Sequence, residues 1–253
     1  MFEPVNDLEK SLMNAATNPA SRPQFTRDIL ESDIFVINHP DDKLNIQHHV
    51  LQAGTKLNIQ SFERAGQAWL PIFTSLQRLQ EYIRSEANYL QLRGRDFFEI
   101  TRGAYVMLNP SFPYGKEFFP QEIEQMLDGS IFQPVKTYTA QKDTQVLIGQ
   151  PAVYPKELVK TLSAYFAKNP LVNKAYLALM SNPEEEKPHL LIAIDGKGDW
   201  PKIVGEAGMI ASETIGKGEV IDFMRLNNSS ISKTVTRQSK PFYEKSLLKK
   251  LFG

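Results

Sequence analysis

The sequence predicts two α+β domains, the second with the β-α-β-β-α-β order of a ferredoxin-like fold and an added C-terminal helix. Three observations carry this. Strand-sized apolar segments recur along the chain, separated by stretches whose apolar residues fall every three or four positions. A turn-rich stretch from Asp128-Gly129 to Pro134 breaks the series near the middle. The 253 residues, 42% hydrophobic and 23% charged, suit two globular domains of ordinary size. The expected domains are residues 1–128 and 134–253.

In the first half, Asp7 to Thr17 places Leu8, Leu12 and Ala15 on one helical face. Ser21 can cap a second helix, with Pro23 in its first turn, where a missing N–H is harmless. Asp33 to Ile37 is a strand, and Asn38 to Asp42 is a turn. Lys43 to Val50 and Thr55 to Glu63 read as a hairpin around Ala53-Gly54, and Arg64 to Gln67 as a further turn. Trp69 to Phe73 is a strand in which Pro71 suggests an edge or an end. Thr74 and Gln77 have the spacing of a capping box, and Leu76, Leu79, Tyr82 and Ile83 give the following helix its apolar face. Tyr89 to Leu92 is a strand, Arg95 to Arg102 a short helix and Tyr105 to Leu108 another strand; Pro120 opens a helix with Ile123, Met126 and Leu127 inward.

The second half begins with a strand at Gln145 to Ile148 and a helix at Lys156 to Lys168. Ala175 to Met180 and His189 to Ile194 are two strands joined by a polar loop. Trp200 to Thr214 is a helix with Asp199 as its cap and Pro201 near its start. Val220 to Met224 is a strand, and Ser230 to Phe252 reads as a long helix.

These residues resemble the SseB family, whose name records enhanced serine sensitivity. The resemblance runs through Asn14 to Phe25, Leu30-Glu-Ser32, Leu70-Pro-Ile-Phe-Thr-Ser-Leu76, Asn109-Pro110, Gly115-Lys-Glu-Phe118, Pro120-Gln-Glu-Ile123 and Pro241-Phe-Tyr-Glu244. It implies an N-terminal and a C-terminal SseB domain. It brings no catalytic residues, because the name describes a phenotype and not a reaction. A sulfurtransferase role associated with the family would store sulfur on a cysteine.

This chain has no cysteine. Disulfides, Cys-ligated metals and thiolate or persulfide chemistry are thereby excluded. The histidines are His39, His48, His49 and His189, with no H-x-x-x-H spacing, and His48 and His49 point to opposite faces of any strand. Asp195 to Asp199 fails as a calcium loop because Lys197 stands where an oxygen ligand is needed. Gly115-Lys116 and Gly216-Lys-Gly218 lack the frame of a phosphate loop, and no G-x-S-x-G elbow is present. No cofactor is expected. No apolar run is long enough to span a bilayer, and the first residues lack the basic and apolar regions of a secretory leader, so a cytoplasmic location is expected.

Net charge is zero but unevenly divided. Residues 1–128 carry 12 Lys and Arg against 17 Asp and Glu, and residues 129–253 carry 17 against 12. Residues from Lys233 onward account for the second-half excess. Two readings of that C-terminal segment compete: a solvated helix with cations near its C-terminus, or a docking surface for an acidic partner. The candidate partner-binding residues are Phe242, Tyr243, Lys245, Lys249 and Lys250. The expected function is non-enzymatic and works through contact with another protein or another copy, without nucleic acid. An amino-acid sensor is the alternative, and an enzyme with a site assembled across elements the third.

Overall fold

The computed structural model describes residues 2–38, 58–83, 87–132, 146–182, 187–216 and 219–246. The chain divides into two compact units, Met1–Ile131 and Phe132–Gly253. Each unit is α+β. The expected hairpin arm at Lys43 to Val50 lies outside the described residues, as do His39, His48 and His49.

In the first unit, α1 (Asp7–Thr17) and α2 (Arg22–Glu31) precede β1 (Asp33–Ile37). Asn6 caps α1, its side-chain oxygen accepting from the Glu9 amide at 2.9 Å. β2 (Phe62–Arg64) and β3 (Gln67–Phe73) form a hairpin through Ala65 and Gly66, whose φ values of 52° and 75° supply the twist that a two-residue turn needs. There follow α3 (Leu76–Ile83), β4 (Tyr89–Arg93), α4 (Gly94–Ile100), β5 (Tyr105–Leu108), β6 (Lys116–Phe118) and α5 (Pro120–Asp128). The sheet runs β4-β1-β3-β5-β6, with β2 also on β3. β6 is a strand additional to those expected from the sequence.

Alternation sorts the sheet into two faces. Ile34, Val36, Ile72, Val106 and Leu108 pack with α1, α2, α4 and α5 through Leu8, Leu12, Ile29, Phe97, Phe98 and Ile123. Ile37 and Phe73 point the other way, onto Leu79, Tyr82 and Ile83 of α3. Pro71 is not on an edge strand, since β3 has β1 on one side and β5 on the other. It is tolerated because β1 pairs only with Ile72 and Phe73, so that ladder stops short of the proline.

The cap of α3 is displaced by one residue from the sequence expectation. Ser75 Oγ accepts from the Arg78 amide at 3.2 Å, while the Thr74 hydroxyl donates to Glu9 Oε1 at 2.8 Å and Gln77 donates to Glu81. Thr74 is drawn away by a stronger, charged acceptor. Ser75→Ala is expected to cost about 1 kcal/mol in urea unfolding. Gln77→Ala should stay within about 0.5 kcal/mol. Equal costs would restore Gln77 to the cap.

The second unit contains β7 (Leu147–Gly149), α6 (Lys156–Lys168), β8 (Val172–Ser181), β9 (His189–Gly196), α7 (Trp200–Ser212), β10 (Ile221–Arg225), α8 (Ser230–Gln238) and β11 (Pro241–Glu244). The expected element order is present, but the sheet order β10-β9-β8-β11, with β7 also on β8, is not ferredoxin-like. A split βαβ would insert a strand between the parallel pair joined by α7. Instead β10 lies directly on β9 with five paired residues. The three-residue β7 is too short to separate them and pairs antiparallel with the far end of β8. Tyr176, Ala178, Leu191 and Ala193 pack under Ile231 and Val235 of α8; α6 and α7 bury Leu158, Leu162, Phe166, Ile203 and Ala207.

The expected helix from Ser230 to Phe252 is also corrected. It ends at Gln238, and residues 241–244 form β11. Pro241 has no N–H for a helical bond and disfavours helical backbone at Lys240, so the chain turns into a strand that begins on the proline. Residues 247–253 lie outside the described part of the chain.

Candidate functional site

Glu9, Thr74, Ser75, Arg78 and Asn109 meet at the start of α3, although Glu9 and Arg78 are 69 residues apart in the chain. Glu9 is 0% exposed and Arg78 5%. Glu9 Oε1 accepts from the Thr74 hydroxyl at 2.8 Å, the Ser75 hydroxyl at 3.1 Å and Arg78 Nε at 3.2 Å. Oε2 accepts from the Val5 amide and Arg78 Nη2, both at 3.0 Å. Burial pushes the Glu9 carboxyl up, but the Arg78 guanidinium, the Val5 amide and the Thr74 hydroxyl outweigh it and hold it below its ordinary range. A carboxylate so filled with donors is a structural anion, with no lone pair directed at a substrate.

Arg78 is just as fully engaged. Its guanidinium lies 4.0 Å from the Phe2 ring centroid and 5.7 Å from that of Phe112. It donates to the Glu3 carbonyl and, at 3.2 Å, to Glu81 Oε2. Burial pulls its pKa down, and Glu9 and Glu81 more than reverse that. Asn6 Nδ2 donates to the Thr74 carbonyl at 2.8 Å, so residues 2–6 are tied to the same knot.

Other polar constellations are local. His189 Nε2 lies 2.7 Å from Asp222 Oδ2, joining the adjacent strands β9 and β10. Asp199 caps α7, accepting from the Lys202 amide at 3.1 Å. Among the described residues no cluster of three or more His, Asp or Glu could hold a metal ion.

The residues that the sequence singled out in the tail separate. Phe242 and Tyr243 lie in β11, where a register shift after Pro241 lets both rings reach Phe166 of α6, at 6.3 and 5.7 Å. Burial pushes the Tyr243 phenol up. Lys245 is tied to the end of β8, its amide donating to Asn173 O at 2.7 Å and its Nζ to Pro170 O at 3.1 Å. Lys249 and Lys250 lie outside the described residues.

Three exposed large apolar residues of the second unit fall close together in the sequence. Leu147, Val153 and Tyr154 are 71%, 85% and 47% exposed. β7 holds Leu147 out while its neighbour Ile148 turns into the core under α8. Gln150 Nε2 donates to Ser239 Oγ, which ties the loop after β7 to the end of α8. The signal in the sequence was Pro151-Ala-Val-Tyr-Pro155, an apolar run bracketed by prolines and therefore barred from helix and sheet.

Comparison with known proteins matches residues 8–125 to the SseB protein N-terminal domain and residues 140–245 to the SseB protein C-terminal domain. Protein SseB of Escherichia coli (strain K12) and Protein SseB of Shigella flexneri are each 32% identical over 249 residues, spanning 97% of this chain and 94% of theirs. No solved structure matches the chain. Among the described residues no helix is long and apolar enough to cross a membrane. With both domains matched in order and the similarity running almost end to end, the chain belongs to the SseB family.

Proposed function

We propose that this SseB-family protein is a non-enzymatic cytoplasmic protein that works by holding another protein, with the segment from Leu147 to Tyr154 as its contact. The observation that carries the reading is the exposure of Leu147, Val153 and Tyr154 within eight residues of chain. Leaving large apolar side chains in water forgoes roughly 1.5–3 kcal/mol each, and gathered exposure of this kind marks binding surfaces. Tyrosine adds rigid contact area and a polar tip, which suits an interface anchor.

The polar knot in the first unit supports the same reading by being closed. Its one buried carboxylate is saturated by donors from the chain itself. The test is affinity capture from the native organism with the full chain and with Val153→Asp/Tyr154→Asp. Loss of a stable partner from the double variant is expected, with unfolding free energy unchanged within about 0.5 kcal/mol, as for other surface changes. Retention of every captured protein would remove this segment as the contact.

A further inference from the structure

We infer that the partner presents an acidic, apolar-bearing segment of polypeptide to the second unit, bound across the β7–α6 loop and the cationic flank of α8. The inference rests on the protein-binding reading above and names the chemistry of the partner at that same surface. Lys233, Arg237 and Lys240 are all exposed and recur at spacings of four and three, so they line one side of α8 and its exit. Ile231 and Val235, on the opposite side of the helix, turn inward onto the sheet.

None of these three cations makes an ion pair with another described residue. In the first unit, by contrast, exposed Arg64, Arg93 and Arg102 are paired with Glu117, Glu31 and Glu124. The bond from Gln150 to Ser239 places the apolar loop beside the C-terminal end of α8, between Arg237 and Lys240 in sequence. An apolar centre flanked by a row of cations selects a partner of opposite charge, which speeds encounter and rejects cationic surfaces.

Charge at a helix C-terminal end also serves the helix dipole, and Arg237 lies in the last turn of α8. That role explains Arg237 alone. Lys233 sits in the first half of the helix, where the dipole disfavours a cation, and Lys240 lies beyond its end. The row as a whole therefore fits an external anionic partner better than internal capping.

The experiment places photoreactive benzoylphenylalanine at Val153 of the full-length protein in its native organism and maps the crosslinked peptide. The expected segment carries net negative charge and at least one large apolar residue. A synthetic peptide of that sequence should bind the native protein, and Arg237→Glu/Lys240→Glu should weaken it by roughly tenfold at low salt, with Arg237→Gln/Lys240→Gln intermediate. Affinity should also fall as salt shortens the range of the charges. A neutral or basic crosslinked segment, or affinity unmoved by charge reversal, overturns the acidic partner and leaves the protein-binding reading standing. A Val153 probe that crosslinks no protein overturns both. Phosphatidylglycerol vesicles or single-stranded RNA displacing the peptide more effectively than unlabelled peptide does would assign the cations to lipid or nucleic acid and overturn the inference.

Discussion

Arg78→Met is expected to destabilise the first unit by about 3–5 kcal/mol, because it keeps the apolar stem and leaves Glu9 buried without its cation. Glu9 Oε1 would retain the Thr74 and Ser75 hydroxyls, and Oε2 the Val5 amide. Those neutral donors cannot replace a guanidinium that reaches both oxygens. The variant also loses the bond to the Glu3 carbonyl and the stacking on Phe2, so residues 2–6 should exchange amide hydrogen faster. Glu9→Met/Arg78→Met should cost much less than the two single changes added together, since the pair removes both charges at once. Urea unfolding followed by Trp69, buried in this unit, reads the effect.

The same pair fixes a pH dependence with a definite sign. In the folded protein the Glu9 carboxyl lies below its ordinary value of 4.5. Its stabilising contribution is therefore complete above that value and disappears as pH falls through the lower folded one. In Arg78→Met the balance reverses, since burial, the largest influence on Glu9, then acts without the guanidinium that opposes it. Protonation relieves the variant while it weakens the native protein, so the gap between them should narrow steadily on acidification below about pH 5. A cost under about 1 kcal/mol that did not change with pH would show that water, not Arg78, satisfies Glu9.

What the sequence revealed of this fold was periodicity, and what it concealed was pairing. Leu76, Leu79, Tyr82 and Ile83 announced α3, and three of them do pack on Ile37 and Phe73. The cap went to Ser75 because Thr74 was claimed by a glutamate 65 positions away, a competitor that no local window contains. Glu9 and Arg78 each read as an ordinary charged helical residue, and only the tertiary fold brings them together. In the second unit the element order was legible, but strand order depends on which edges are long enough to pair, and β7 is too short to hold an interior place. Pro241 was a visible stop signal; the lysine and leucine pattern beyond it imitated a continued helix. Moving Phe242 and Tyr243 into β11 against Phe166 shifts attention from the tail to the loop that α8 flanks.

Gly94→Ala is expected to cost the first unit more than about 3 kcal/mol, at the severe end of overpacking, or to prevent folding. Gly94 begins α4 where it crosses the last turns of α2. A Cβ there would stand 1.9 Å from the Ile29 carbonyl oxygen and 3.0 Å from its carbon. Both are backbone atoms, so no side chain can rotate out of the way. Ile29 is itself fully buried, and the Gly94 amide donates to Ser32 O at 2.9 Å, which holds the junction from the other side. Relief would require α2 and α4 to separate, opening the core around Phe97 and Phe98. Gly149→Ala is the control, with nothing within 4 Å of the added carbon. It should change stability by less than about 0.5 kcal/mol, as sites away from special contacts do. Trp69 fluorescence follows the unit that contains Gly94. A Gly94→Ala protein within about 1 kcal/mol of the native one would mean that α2 and α4 do not approach at this glycine, because no rotamer change could relieve the clash.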